Sequence, residues 1–181
     1  MLFNLFGGKK EDGTPFTDRV YMSSNAKNGA ILKLAKDNSN TVFVGWFSQT
    51  ISSAKKLFQE NLLDEGRIID YRHFHSGAVA GKEIVFLEHY PLPEKEKQFI
   101  ANMQQQKFIV FSAMDEPIFL HFGSEKMAAM LKMLGLKEEE AIEHNYVSQS
   151  ITRGQNRIAE QVTLEQSADS QEEWMRKNLT K

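Results

Sequence analysis

Two adjacent carboxylates and a pair of histidines are the residues of this chain best suited to chemistry. Asp115 and Glu116 follow the apolar run at 108–111. At the end of a parallel strand they would lie where such sheets bind ligands, and two carboxyls with separated pKa values can act as acid and base. Placed just before Pro117, the pair more simply caps a helix, where carboxylates accept backbone N–H groups and meet the positive end of the dipole. His73 and His75 are two apart; on a strand both would point to one face, a spacing that metal sites use, and His89 could approach from a neighbouring strand end. No carboxylate completes a ligand pattern around them, so two exposed or half-buried histidines are the plainer expectation. His121 reads as a packed histidine rather than a base. Arg153 and Arg157 stand one helical turn apart beside Gly154; they could bind an acidic partner, although a solvated helix face accounts for them. No catalytic, cofactor-binding or metal-ligating residue is therefore assigned, and no cofactor is expected.

Such residues act only where secondary structure places them. The runs at 19–22, 41–47, 67–71, 83–87 and 108–111 are β-branched and aromatic, and 41–47 and 83–87 have the nearly continuous apolar character of strands buried on both faces. Helical patterns separate them. Ser23 or Ser24 caps a helix carrying Ala26, Ala30, Ile31, Leu34 and Ala35; a second follows Ser48 through Ile51, Ala54, Leu57, Phe58 and Leu62; Pro91 and Pro93 lead into a third with Phe99, Ile100 and Met103. Residues 72–82 resist assignment. Strands alternating with helices imply a parallel sheet covered on both faces through right-handed crossovers.

Beyond the last strand, Pro117 can open a helical turn, and Ser124 heads a helix with Met127, Met130, Leu131 and Leu134 at helical spacing, ended by Gly135. Burial of Met127 and Met130 with Met133 exposed is expected; a malleable partner surface is the alternative. After Glu138, Glu139 and Glu140, a long helix starting near Asn145 carries the narrow stripe Val147, Ile151, Gly154, Ile158 and Val162. Gly154 in mid-helix costs about 1 kcal/mol relative to Ala, which close approach of another backbone would explain. The polar stretch 164–181 either continues this helix or breaks near 167–170 before a short last helix, with Ser170 and Glu173 as a capping box ahead of Trp174 and Met175.

Bulk properties narrow the function classes. A chain of 181 residues suits one domain with an appendage, and a net charge of −2 with a pI near 6.2 gives no bulk reason to bind nucleic acid or an anionic membrane. Zero cysteines exclude disulfides, thiolate metal sites and thiol nucleophiles, and suit a cytoplasmic home. No stretch approaches the roughly 20 apolar residues of a membrane span, so stable insertion is not expected. The apolar start is short and its charges follow it, unlike a signal peptide; Leu2, Phe3, Leu5 and Phe6 could still make a weak membrane or partner contact. Gly7, Gly8, Lys9 and Lys10 lack the spacing and hydroxyl of a phosphate-cradling loop.

The C-terminal third resembles SecA, the ATP-driven motor of bacterial preprotein export, where its second nucleotide-binding domain joins the helical scaffold. The resemblance rests on Phe122-Gly123-Ser124, Lys132-Met133-Leu134-Gly135-Leu136, Glu140-Ala141-Ile142-Glu143-His144, and Ser150-Ile151-Thr152-Arg153-Gly154-Gln155-Asn156-Arg157, collinear with the family's pattern. Fainter similarity extends upstream through Asp18-Arg19-Val20-Tyr21-Met22 and Val42-Phe43-Val44-Gly45. It implies a RecA-like, P-loop NTPase-type α/β fold with a mostly parallel sheet, flanking helices and a long C-terminal helix. The implied division is an N-terminal segment at 1–17, a nucleotide-binding-domain-2-like body at 18–144 and scaffold-like helix or helices at 145–181. His144 would fix the start of the scaffold helix.

The resemblance also implies arginines in a Gly- and Arg-rich segment before the last strand, to meet a γ-phosphate. Residues 91–106 contain neither arginine nor glycine, and the chain has no room for the phosphate-loop domain. The expectation is a fold kept and a motor lost: a non-catalytic accessory or protein-binding module, related to export through a translocation-related protein partner, and able to self-associate through its C-terminal helix. The alternative is a nucleotide-responsive module that binds nucleotide weakly or completes a partner's ATP site.

Overall fold

In the computed structural model, which describes residues 15–101, 103 and 108–179, every strand runs the same way. β1 (Phe16–Tyr21), β2 (Thr41–Gly45), β3 (Ile68–Asp70), β4 (Glu83–Phe86) and β5 (Phe108–Ala113) form one parallel sheet in the order β1-β5-β4-β2-β3. The helices are α1 (Ser24–Asp37), α2 (Ser48–Glu60), α3 (Pro93–Ile100), α4 (Pro117–His121), α5 (Ser124–Met133), α6 (Asn145–Ala159) and α7 (Gln171–Asn178). This is an α/β architecture compatible with a RecA-like fold. The stretch around 72–82 holds two short 3₁₀ turns, Tyr71–His73 and Ser76–Val79.

Strand periodicity divides the core in two. Val42, Val44, Ile84, Phe86, Phe108 and Val110 face one side, with Ile100, Ile151, Ile158 and Trp174 against them. Phe43, Val85, Leu87 and Phe111 face the other, under Ile31, Ala35, Ile51 and Phe58. The strand order predicts this split. The chain steps one way across the sheet from β1 through β2 to β3 and back again through β4 to β5, so right-handed crossovers put α1 and α2 on one face and α3 on the other. All five residues of β2 are buried, as its unbroken apolar run required.

Local signals place most helix ends. Ser23 caps α1 by accepting from the N–H of Ala26, Pro93 opens α3, and Gly135 follows α5 with φ 87°. Ser124 is the first residue of α5 rather than its cap: left-handed Gly123 (φ 79°) precedes it, and the Ser124 hydroxyl donates to the carbonyl of Met114. In place of one long C-terminal helix there are two, because the chain leaves α6 after Ala159 and crosses to α7. Ser170 caps α7 by accepting from the N–H of Glu173, whose carboxylate accepts from Asp169 N–H at 2.8 Å, one residue before the box expected. The apolar start and the Gly-Gly-Lys-Lys segment lie outside the described residues, as do positions 102 and 104–106 of the expected arginine-bearing segment 91–106.

Candidate functional site

Polar residues at the carbonyl end of β4 build two buried clusters on opposite faces of the sheet. Glu88 goes to the α1–α2 side, where its carboxylate accepts from the hydroxyl of Thr50 at 2.9 Å. Near it Lys27 of α1 donates to the carbonyl of Leu87 at 2.9 Å and to the carboxylate of Glu116. These side chains border a recess of about 320 Å³ between α1, α2 and α7. Among the described residues one oxygen of Glu88 and one of Glu116 have no hydrogen-bond partner. Burial pushes both carboxyls up, Glu88 to about 7, and the Lys27 charge offsets this only in part.

Because the folded-state pKa of Glu88 is raised, folding binds a proton that the unfolded chain releases near pH 4.5. The fold therefore loses stability as pH rises from about 4.5 through about 7. Glu88→Gln should flatten that slope, so that the melting temperature of the variant gains on the parent between pH 5 and 8; parallel profiles would refute the assignment.

His89 goes to the other face. Its Nε2 lies 2.7 Å from a carboxylate oxygen of Asp18 and its Nδ1 lies 2.9 Å from one of Glu96, all three side chains almost fully buried. Burial opposes the charge on His89, but the charges of Glu96 and Asp18 outweigh it and hold its pKa well above the usual imidazole value. Burial likewise opposes ionisation of Asp18, yet His89 holds its pKa below the carboxylate norm. Gln155 of α6 completes the cluster, donating to the other oxygen of Glu96 at 3.0 Å and to the carbonyl of Tyr90 at 2.7 Å.

The sequence candidates are thereby dispersed. Asp115 accepts from both the N–H and the hydroxyl of Ser24, so it caps α1 and not the helix that follows it. Glu116 pairs with Lys27 instead of capping through its side chain. His73 and His75 are exposed beyond β3, three strand positions from β5, about 14 Å across the sheet. They do not meet Asp115 and Glu116. Among the described residues no group of three or more His, Asp or Glu is placed to hold a metal. His121 is exposed at the C-terminal end of α4, not packed in the core, because α4 buries Ile118 and Phe119. His144 caps α6 by accepting from Tyr146 N–H at 3.2 Å and stacks on the Tyr146 ring.

The other feature is an apolar groove of about 650 Å³ bounded by α4, α5 and α6. Phe119, Phe122, Met127, Leu131, Ile142 and Val147 are among the apolar side chains that line it. Met127 and Met130 are about half exposed, contrary to the burial expected of them, and Met133 and Leu134 are 88% and 74% exposed. The helical spacing was real, but α5 packs mainly through Ser124, Ala128 and Leu131, leaving its methionines facing outward.

In comparisons with known proteins, 48 residues of this chain are 38% identical to the protein translocase subunit SecA of Ehrlichia canis, which is 26% of the chain and 6% of that protein. The SecA subunit of Acidithiobacillus ferrooxidans gives the same identity over the same length, and that of Parabacteroides distasonis is 36% identical over 52 residues, 29% of the chain and 5% of its own length. A segment of this chain resembles SecA. The similarity is local, and the matched segment spans about a twentieth of those relatives. No family model matches the chain.

Phe122, Ser124, Ile142, Ser150, Ile151, Arg153, Gly154 and Arg157 all line the groove. Phe122 packs on Gly154, and Ile142 forms an antiparallel bridge with Val20 that brings the link back to the sheet edge. Gln155 serves the His89 cluster on the far side of α6. Gly154 is explained by a side chain rather than a backbone: a Cβ there would lie 2.3 Å from the Phe122 ring. Gly154→Ala gains helix propensity but drives that ring from its seat, and should lower stability by about 1–3 kcal/mol in denaturant unfolding. An unchanged midpoint would show that the ring moves freely.

Sequence reasoning missed Lys27, Glu88, Glu96 and Asp18. The signal was present for Lys27, four residues before Ile31 and eight before Ala35, on the face that α1 buries. It was also present for Glu88 and His89, polar residues directly after a buried strand.

Proposed function

We propose that this chain is a non-catalytic, SecA-like accessory module that binds a protein partner related to translocation. In this reading residues 18–144 are the nucleotide-binding-domain-2-like body, 145–181 its scaffold-like part and 1–17 an N-terminal segment, acting in the cytoplasm. The local identity to SecA supports the link to export. The observation that carries the binding role is the cluster of exposed apolar side chains Leu120, Met127, Met130, Met133, Leu134 and Tyr146 on one region of the chain. Solvated surfaces scatter such residues singly; a group gathered on α4, α5 and the start of α6, two of them lining a groove, supports a contact surface. No helix among the described residues is long and apolar enough to cross a membrane.

The test is a pull-down of the tagged chain from native lysate, beside a Met130→Glu/Leu134→Glu variant, read by mass spectrometry with and without ATP. The parent should recover an export component and the variant should lose it, with ATP making no difference. Equal recovery by both, or no translocation-related protein with either, overturns the proposal.

A further inference from the structure

We infer that the groove bounded by α4, α5 and α6 takes an acidic amphipathic helix of a protein partner, its apolar stripe on Phe122, Met127 and Leu131 and its carboxylates on Arg153 and Arg157. This rests on the binding-module reading and adds the chemistry of the partner. The walls of the groove are apolar, yet its ionic lining has one sign. Arg153, Arg157 and His121 line it, and among the described residues no aspartate or glutamate does.

Both guanidinium groups are uncommitted. Among the described residues neither has a carboxylate within ion-pair distance; Arg153 reaches only Gln149, at 3.5 Å, and the guanidinium of Arg157 has no partner. Glu143, the neighbour of groove-lining Ile142, is engaged elsewhere, pairing with Arg19 at 3.0 Å. A guanidinium offers a planar fork that a carboxylate fills bidentately, so a negatively charged occupant gains contacts that a neutral or basic one does not.

The shape favours a helix. Met127 and Leu131 line the groove, and exposed Met130 and Leu134 continue the row at intervals of three and four along α5 and its cap, over a helix of 10 residues or about 15 Å. A partner helix with anchors at i, i+3 or i+4, and i+7 matches that length and spacing. Methionine is unbranched and polarizable, so these contacts adapt to the aliphatic residues of a helix stripe. Arg153 and Arg157, one turn apart on α6, then sit at the rim where flanking carboxylates of that helix would fall.

The test uses two synthetic labelled peptides of about 18 residues, both helical with leucines at that spacing. One carries glutamates beside the stripe and the other lysines, and each is titrated into the full chain and followed by fluorescence anisotropy. The acidic peptide should bind at least about tenfold more tightly, and that margin should shrink as salt rises to about 0.5 M. Arg153→Glu/Arg157→Glu should reverse the preference, and Met130→Glu, beside the groove-lining Met127 and Leu131, should weaken both peptides; all three positions are exposed, so circular dichroism should be unchanged.

Equal or tighter binding of the basic peptide, or a preference that survives the arginine reversal, overturns the inference. Arginine-dependent binding to anionic vesicles with none to either peptide would give the groove to a membrane surface and also overturn it. So would an arginine- and Met130-dependent dimer in light scattering, or tenfold tighter peptide binding after removal of residues 1–14. Failure here is separable from failure of the proposed function. Loss of lysate capture in Met130→Glu/Leu134→Glu with no charge preference retains the binding module and removes the acidic helix; capture indifferent to Met130→Glu/Leu134→Glu removes the module itself.

Discussion

His89→Ala should destabilise the protein by about 3–5 kcal/mol in denaturant unfolding, because it strands Asp18 and Glu96 as uncompensated buried carboxylates. The loss is electrostatic more than volumetric. A triple variant with His89→Leu, Asp18→Asn and Glu96→Gln should therefore recover much of it, as neutral groups tolerate burial better than orphaned charges. The pH dependence has a defined sign. His89 has a raised pKa in the fold, so its contribution is complete below its unfolded value near 6.5 and is lost as pH rises through the folded value. Asp18 has a lowered pKa, so its contribution is complete above about 3.8 and is lost as pH falls through the folded value. The cluster is thus strongest between about pH 4 and 6.5, and His89→Ala should cost most in that window. A cost that is flat with pH and no larger than about 1 kcal/mol would show that the three groups are not coupled as the geometry requires.

Trp174→Ala should cost about 3–5 kcal/mol, the amount typical of truncating a fully buried large aromatic. Trp174 is 0% exposed, its indole N–H donates to Glu165 at 2.9 Å, and its ring meets Tyr90 edge-on at 6.0 Å. Glu165 in turn accepts from the hydroxyl of Tyr90 and lies 3.5 Å from Lys95, so one carboxylate ties the segment between α6 and α7 to the end of β4 and to α3. The loss should be concentrated at the C-terminus: amide protection in α7 should fall far more than in β2 or β4. Trp174→Phe keeps the ring and loses the hydrogen bond, and should cost about 1–2 kcal/mol. If Trp174→Ala instead lowers protection uniformly, α7 unfolds only with the sheet.

The sheet was legible because its strands announce themselves. Val42, Phe43 and Val44 in β2, or Ile84, Val85 and Phe86 in β4, are unbroken apolar runs that only a doubly covered strand can bury. The stripe of α6 was legible for the same reason, and Ile151, Gly154 and Ile158 are buried as it required. The polar clusters were not, since Asp18, His89, Glu96 and Gln155 are scattered over 138 positions and only the strand order β1-β5-β4 brings them together. Asp115 shows the limit of local reasoning: cap chemistry was the right kind, but the N–H it serves belongs to Ser24, 91 residues away. Met127 and Met130 show another. Periodicity says which residues share a face of a helix, and it cannot say whether the chain supplies anything to cover that face.

Gln171 gives the carbonyl end of the sheet an occupant of its own. Its side-chain oxygen accepts from the N–H of Ile118 at the start of α4, and its nitrogen donates to the carbonyl of His89 at 3.1 Å. That amide is tethered to the same chain, so its effective concentration at this spot is in the millimolar range or above. A small molecule seeking the same N–H and carbonyl competes with a resident that never diffuses away, and micromolar intrinsic affinity would be spent largely on displacement.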